Sequence, residues 1–295
     1  MADFGAPGPF AVTIEDGEWP DGRRQRTLRW RHYQPKEAPQ SACVLYSHGL
    51  GGSRESGAHW LRHWASWGIA AIAVQHPGTD AAALAGRSPL AMRHLLRRAT
   101  DPAELNLRQH DLLFALDRIS STHQAATGIA GHSYGAVSAM RLIGERRGRN
   151  DLPADPRIGA AVLFSPSARG GHLPLDERFG GIAIPALHLT GTEDHGIGPG
   201  DIDAAARCLP FRHGPEHLGS LLVLSGATHA DLAGDEGNNA RATRLLQAST
   251  TAYLRCHLAA DEQAERWLQE DWPAALEADD RLETPPARRT ESEPR

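Results

Sequence analysis

The sequence predicts an α/β fold, a doubly wound and mostly parallel sheet with helices on both faces. Two observations lead to this prediction. Short aliphatic runs indicate buried strands, and they lie at 42–47, 69–75, 126–131, 159–165, 184–190 and 220–225. These runs are continuously apolar, which is typical of parallel strands that are covered on both faces. Segments with helical periodicity separate them, and this strand–helix alternation favours a doubly wound sheet.

The segments between the strands carry the helical signals. Helical periods lie at 57–68, 101–119, 135–148 and 238–258. In the first of these, three tryptophans share one face: Trp60, Trp64 and Trp67. The second has a good start signal, because Asp101 can cap the helix, Pro102 fits its first turn and Glu104 completes a capping box. Before the first parallel strand, residues 11–19 and 24–35 predict an antiparallel hairpin at the sheet edge.

The chain has no internal repeat and no long low-complexity linker, so residues 11–275 are predicted to form one domain. Residues 1–10 and 276–295 are expected to be disordered tails, the second because it is almost wholly polar. Residues 80–100 are longer than a simple connection and apolar with scattered arginines. Insertions of this kind form lids or substrate walls, although a packed surface helix fits the same pattern.

Composition excludes several classes of function. The formal net charge of −5 argues against nucleic acid as the main partner. No apolar run approaches the roughly 20 residues that span a bilayer, and the N-terminus lacks the features of a secretory signal. We therefore expect a cytoplasmic protein. The three cysteines, Cys43, Cys208 and Cys256, are expected to be free thiols, with a Cys208–Cys256 disulfide as the alternative. The oligomeric state is left open.

The stretch "GIAGHSYGAVSAM" contains a candidate nucleophile. Ser133 lies between Gly131 and Gly135, after the strand at 126–131 and before a helix. This is the context of a nucleophile elbow, a sharp turn in which side chains at the two glycine positions would collide with the strand and the helix. The helix N-terminus behind the serine favours developing negative charge. We therefore predict that Ser133 is a nucleophile rather than a turn residue.

A serine hydroxyl needs a base, and the base needs a third group that orients it. In enzymes with a nucleophile elbow the acid follows the serine along the chain and the base follows the acid. Here "GTEDHG" comes after the strand at 184–190, and "GATHADL" comes after the last strand, at 220–225. Both stretches lie past the carboxyl ends of strands, on the edge where ligands bind in such sheets. Asp194 is therefore the predicted acid and His229 the predicted base. Three nearby residues remain competitors: Glu193, Asp231 and His195.

An oxyanion hole needs two backbone N–H groups that point at the substrate carbonyl oxygen. One is expected from Tyr134, the residue after the nucleophile, and the other from Leu50 in the glycine-rich loop of "YSHGLGGSRES". That loop lacks the Gly-Lys-Ser/Thr ending of a phosphate-binding loop. His76, before Pro77, and His132, beside the nucleophile, are candidates for substrate contact or for support of the site.

These stretches together resemble a known group of enzymes. "LYSHGLGGSRES", "WASWGIAAIAVQHPGTD", "AGHSYGA" and "LHLTGTEDH" resemble bacterial α/β-hydrolases of the dienelactone-hydrolase-like group, over residues 25–258. The group is related to platelet-activating-factor acetylhydrolases and, more distantly, to cutinase-like polyester hydrolases. The resemblance implies an α/β-hydrolase fold, a triad of Ser133, Asp194 and His229, and oxyanion donors at Leu50 and Tyr134. Dienelactone hydrolases themselves use a cysteine nucleophile, so lactone specificity is not implied.

Other histidines show metal-like spacing without a metal-site motif. His59 and His63 are four residues apart on a helix, but Trp60 stands where a zinc protease has glutamate. The stretch "RHGPEH" (212–217) is equally weak, so we expect no metal and no organic cofactor.

The predicted function is hydrolysis of carboxylic esters through an acyl-enzyme, with a small-molecule or polymeric ester as substrate. A thioesterase, acyltransferase or peptidase with the same triad is the alternative enzyme. A non-catalytic binding protein of the same fold is the alternative from another class.

Overall fold

A computed structural model describes residues 2–37, 41–84, 97–98, 101–122, 125–148, 151–196, 203–234 and 239–285. Nine strands form one sheet in these ranges: β1 Val12–Asp21, β2 Arg26–Pro35, β3 Ala42–Ser47, β4 Ile69–Gln75, β5 Ala126–His132, β6 Ile158–Phe164, β7 Ala186–Glu193, β8 Gly219–Thr228 and β9 Arg281–Glu283. Their order across the sheet is β1-β2-β4-β3-β5-β6-β7-β8-β9. Strands β3 to β8 run parallel, while β1, β2 and β9 are antiparallel to their neighbours. The predicted α/β architecture and the predicted edge hairpin are confirmed.

Helices follow most of the parallel strands. They are α1 Ala58–Ser66, α2 Pro102–Thr122, α3 Tyr134–Leu142, α4 Leu175–Phe179, α5 Leu209–Arg212, α6 His229–Ala233, α7 Ala240–Ala259, α8 Glu262–Arg266 and α9 Trp272–Ala274. Short 3-10 turns lie at Ala81–Leu84 and Ala205–Cys208, and one π-helical turn lies at Trp267–Asp271. At the start of α2, Asp101 caps the helix through the amide of Ala103. Glu104 pairs with Arg98.

Helices cover both faces of the sheet, as the continuously apolar strands predict. Along β3, Val44 and Tyr46 face a core that contains α1 and α7. Cys43 and Leu45 point to the opposite face, which packs against α2 and α3. Successive side chains of a strand point to opposite faces, so a strand that is buried on both must be apolar at every position. No helix in the described ranges combines the length and apolar character needed to cross a membrane.

Both ends of the chain are more ordered than the sequence suggested. Phe4 is 1% exposed and its ring contacts those of Trp67 and Trp267 at centroid distances of 4.9 and 6.0 Å. At the other end, β9 adds an antiparallel edge strand to β8. The expectation of disordered tails is therefore wrong for residues 2–10 and for the part of the C-terminal tail that ends at residue 285. The sequence reasoning missed these contacts because their partners lie far away along the chain.

The predicted insertion at 80–100 falls mostly outside the described residues. The structure describes 80–84 and 97–98 of it. The lid prediction therefore stays a prediction.

Candidate active site

Ser133 occupies a sharp turn between β5 and α3. Its backbone has φ 55° and ψ −116°, a conformation that a residue with a side chain rarely adopts, and its amide donates to the carbonyl of Phe164 at 2.9 Å. A Cβ on Gly131 would lie 2.4 Å from the carbonyl carbon of Gly135. A Cβ on Gly135 would lie 1.9 Å from the carbonyl oxygen of Ser47. The two glycines are therefore required by close packing, and the turn has the strained form that was predicted.

His229 and Asp194 come together at the carboxyl edge of the sheet. Asp194 directly follows β7, and His229 is the first residue of α6, directly after β8. The distance from His229 Nδ1 to Asp194 Oδ1 is 2.6 Å, and the hydroxyl of Thr190 donates to Asp194 Oδ2 at 2.8 Å. Both carboxylate oxygens are thus occupied, and the acid is fully buried. This arrangement holds the imidazole in one orientation and leaves its Nε2 available for a proton transfer.

The competing acids have other partners. Glu193 is exposed and lies 3.5 Å from the equally exposed His195. Asp231 belongs to the N-terminal cap of α6, where its carboxylate accepts from the amide and hydroxyl of Thr228 at 2.9 and 2.7 Å. Of the predicted acids, all of which the structure describes, Asp194 alone contacts His229.

A buried arginine that sequence reasoning missed lies beside this pair. Arg207 Nε is 3.3 Å from Asp194 Oδ1, and Nη1 donates to the carbonyl of Ser165 at 3.0 Å. Its Nη2 also lies 3.3 Å from His229 Nδ1. Because the proton on that nitrogen points to Asp194, this last contact is a close approach rather than a hydrogen bond. No local pattern marks Arg207, which lies on a 3-10 turn between β7 and β8.

The charges around Asp194 explain its ionisation. Burial alone would raise the pKa of the Asp194 carboxyl. The hydrogen bond from His229 and the positive charge of Arg207 outweigh burial, so the pKa lies below its usual value. Asp194 is therefore ionised at neutral pH, as a group that stabilises a protonated imidazole must be.

Ser133 and His229 lie at the same edge of the sheet, and His132, the residue before Ser133, contacts His229. The rings of the two histidines are 4.5 Å apart between centroids. Ser133 is partly exposed, and none of the side-chain hydrogen bonds among the described residues involves its Oγ. Nucleophile–base hydrogen bonds often form only when substrate is bound.

Leu50 lies in the loop after β3, and Tyr134 is the first residue of α3. The two segments approach each other beside Ser133. A Cβ on Gly49, the residue before Leu50, would lie 3.6 Å from the Cβ of Ser133. Within the described ranges, neither the Leu50 amide nor the Tyr134 amide donates to another group of the chain. Both N–H groups therefore lack another partner in these ranges, and their role as oxyanion donors stays a prediction.

The direction of the Leu50 N–H group is held by a histidine. His48 Nε2 accepts from the amide of His76 at 3.0 Å, so the ring proton lies on Nδ1, which donates to the carbonyl of Gly49 at 2.6 Å. The carbonyl of Gly49 and the N–H of Leu50 belong to one trans peptide and point in opposite directions. A fixed carbonyl therefore fixes the N–H.

His76 and His132, the two candidates for substrate contact, have different surroundings. His76 is fully buried, and its ring nitrogens contact Ser47 Oγ at 3.0 Å and Asp111 Oδ2 at 3.1 Å. Burial, with a smaller contribution from the charge of Arg108, lowers the pKa of His76 to about 4. Both ring nitrogens of His76 contact other side chains, and no part of the ring reaches solvent. The expected substrate contact is therefore wrong for His76, which supports the residues of the site instead. His132 lies against His229, and its contact with substrate stays a prediction.

The remaining candidates take part in packing. His59 contacts Gln247 at 2.8 Å and His63 contacts the carbonyl of Phe4 at 2.8 Å, so the two rings have different partners. The described part of the chain contains no cluster of three potential metal ligands. Cys43, Cys208 and Cys256 are all unpaired, which decides against the alternative disulfide.

No protein-family model and no curated protein matches the chain. Solved structures do match, among them three of a cold-adapted esterase from an Arctic intertidal metagenomic library. Its polyethylene-glycol-bound form has a TM-score of 0.59, and its zinc-bound and native forms have TM-scores of 0.57. Each is 19% identical in sequence and covers 84% of this chain and 94% of its own. Together with the sheet order, this likeness shows that the chain has the α/β-hydrolase fold. The narrower groups named above stay predictions.

Proposed function

We propose that the chain is a serine carboxylic-ester hydrolase whose catalytic residues are Ser133, His229 and Asp194. The observation that carries the proposal is the 2.6 Å contact between His229 and the buried Asp194, at the sheet edge that also presents the strained Ser133 turn. An oriented base and an accessible serine are the two parts that nucleophilic acyl transfer requires, and Ser133 is partly exposed. The structural neighbours are esterases, which favours an ester as the substrate.

The first half-reaction forms an acyl-enzyme. Ser133 Oγ attacks the ester carbonyl carbon while His229 Nε2 takes the hydroxyl proton, and Asp194 stabilises the resulting imidazolium. The carbonyl oxygen becomes an oxyanion that accepts hydrogen bonds from the Leu50 and Tyr134 amides. When the tetrahedral intermediate collapses, the bond to the alcohol oxygen breaks and His229 returns the proton to that oxygen.

The second half-reaction releases the acid. A water molecule gives a proton to His229 and attacks the acyl carbon, the same amides hold the oxyanion, and the bond to Ser133 Oγ breaks. Ser133 recovers its proton from His229. Every proton is thus accounted for by side chains of the chain and by water. The mechanism needs neither a metal nor an organic cofactor.

The proposal is tested by comparing wild type with Ser133→Ala on p-nitrophenyl acetate, butyrate, octanoate and palmitate at pH 8. We expect wild-type turnover and a loss of at least about 10³-fold in the variant. Ser121→Ala, at an exposed serine of α2, is the matched control and should keep wild-type rates. Labelling by a fluorophosphonate probe should likewise occur in wild type and disappear in Ser133→Ala.

Three results would contradict this reading. Equal rates in wild type and Ser133→Ala would make Ser133 a turn residue. Turnover of thioesters or peptides with no turnover of esters would favour the alternative enzyme classes. Ester binding without turnover or labelling would favour a binding protein.

A further inference from the structure

A second buried cation, Arg108 of α2, lies directly beneath the site. The residue is 1% exposed. Its guanidinium donates to Ser138 Oγ through Nε at 2.9 Å, to Thr79 Oγ1 through Nη1 at 2.9 Å, and to Ser47 Oγ through Nη2 at 3.0 Å. Nη2 also donates to the carbonyl of His48. One side chain thus joins the end of β3, the loop after β4 and helix α3.

The segments that Arg108 joins are those that carry the proposed oxyanion donors. His48 begins the loop that leads to Leu50, and the ring of Tyr134 lies 4.7 Å from the guanidinium carbon. Thr79 extends this support, because its carbonyl accepts from the amide of Gly51 at 2.8 Å. The loop that contains Leu50 is therefore held at both of its ends, directly at His48 and through Thr79 at Gly51.

The electrostatic cost of this arrangement argues that it is more than packing. Burial lowers the pKa of Arg108 to about 10, so the side chain stays charged at neutral pH. Its hydrogen-bond partners in the described ranges are three hydroxyls and one carbonyl. The carboxylates of Asp111, Glu104 and Asp80 favour its charge from a distance, but none of them forms an ion pair with it in these ranges. A buried cation without a contacting carboxylate is costly, and an apolar side chain would fill the space at lower cost. The planar guanidinium, by contrast, donates hydrogen bonds in several fixed directions, and it therefore sets the distances between several segments at once.

We propose that Arg108 is a positioning residue of the active site, whose guanidinium holds the Leu50 and Tyr134 amides at the spacing that an oxyanion requires. This inference rests on the proposed function. Arg108 touches no reacting atom, and it acts through the loop at 48–51 and through the first turn of α3. A displacement of about 1 Å in such groups costs about 100-fold in rate.

The test compares wild type with Arg108→Lys, which keeps a charge and loses the planar fork. We expect kcat for p-nitrophenyl butyrate to fall 10- to 100-fold while KM changes less than about threefold, because the oxyanion forms after substrate binds. The second readout is a trifluoromethyl ketone. Ser133 Oγ adds to its carbonyl carbon, the proton passes to His229, and the new oxyanion occupies the same amides. Its affinity should fall by the same factor as kcat/KM.

Arg141→Lys is the matched control. Arg141 is also a buried arginine, on α3, and it donates to Gln109 and Asp151 at 2.9 Å. It lies eight residues beyond Ser133, so its replacement should lower stability without changing kcat or ketone affinity. A loss of kcat in Arg141→Lys as large as that in Arg108→Lys would overturn the inference, since any buried arginine would then have the same effect.

Thr79→Val covers the case in which Arg108→Lys does not fold. It removes one acceptor of Arg108 with little change of shape, and it should lower kcat and ketone affinity in parallel by about three- to tenfold. Wild-type kcat in a folded Arg108→Lys, or in Thr79→Val, would overturn the inference while leaving the proposed function intact. A wild-type protein that neither hydrolyses esters nor reacts with the fluorophosphonate would overturn the proposed function, and this inference with it.

Discussion

Gly135, the second residue of α3, provides a sharp test of the geometry of the proposed active site. A Cβ at this position would lie 1.9 Å from the carbonyl oxygen of Ser47 and 2.7 Å from that of His48. Alanine is otherwise the better residue in a helix, by about 1 kcal/mol. A loss in Gly135→Ala would therefore report the collision and not helix propensity.

The size of the effect follows from these distances. Real Cβ contacts essentially never fall below 3.0 Å, so the elbow and the end of β3 must separate by about 1 Å. Ser133 lies on one of these segments and the loop that carries Leu50 begins on the other. A misplacement of this size costs about 100-fold in rate. Overpacking of this kind also costs about 1–3 kcal/mol in the free energy of unfolding.

The assay measures kcat/KM on p-nitrophenyl butyrate together with the urea midpoint of unfolding. Gly148→Ala is the control, because nothing lies within 4 Å of a Cβ there. We expect Gly135→Ala to lose at least about 100-fold in kcat/KM and Gly148→Ala to stay within twofold of wild type. A folded Gly135→Ala within fivefold of wild type would refute the reasoning, since the elbow would then tolerate a side chain that the distances forbid.

Two further predictions concern Asp194, the proposed acid, and the buried His63. Asp194→Asn should lower kcat by about 10³- to 10⁴-fold, because the amide no longer enforces the required tautomer of the base, whereas the adjacent Glu193→Gln should stay within twofold in the same ester assay. Burial lowers the pKa of His63 to about 4, whereas the unfolded value is about 6.5. The unfolded chain therefore binds the extra proton as the pH falls from 6.5 towards 4, and stability is lost in that window. Between pH 8 and pH 4.5 this one histidine should account for about 2 to 3 kcal/mol. His63→Gln can still donate to the carbonyl of Phe4, and its free energy of unfolding should fall correspondingly less between the two pH values. Urea titrations at pH 8 and pH 4.5 measure this difference. An unchanged pH dependence would show that His63 is not the group responsible.

Much of the fold was predictable because the sheet is buried on both faces. The predicted strands at 42–47 and 69–75 coincide with β3 and β4. A short run that is apolar at every position is fully removed from water as a strand in a sheet covered on both faces. The ends of the chain were less predictable. Phe4 and the β9 strand at Arg281–Glu283 lie in stretches whose composition suggests disorder, and they are ordered by partners far away in the sequence.

The sequence by itself determined which residues could meet at the proposed active site. Ser133, Asp194 and His229 each follow a strand, and parallel strands bring such positions to one edge whatever the loops do. Only the tertiary structure decided which acid contacts His229, that His76 is sealed beneath the site, and that buried arginines at 108 and 207 adjoin it. The physical reason is that strand periodicity is a local property of the chain. The direction of a loop side chain, and the partners of a buried charge, depend on atoms from several elements that become neighbours only when the chain folds.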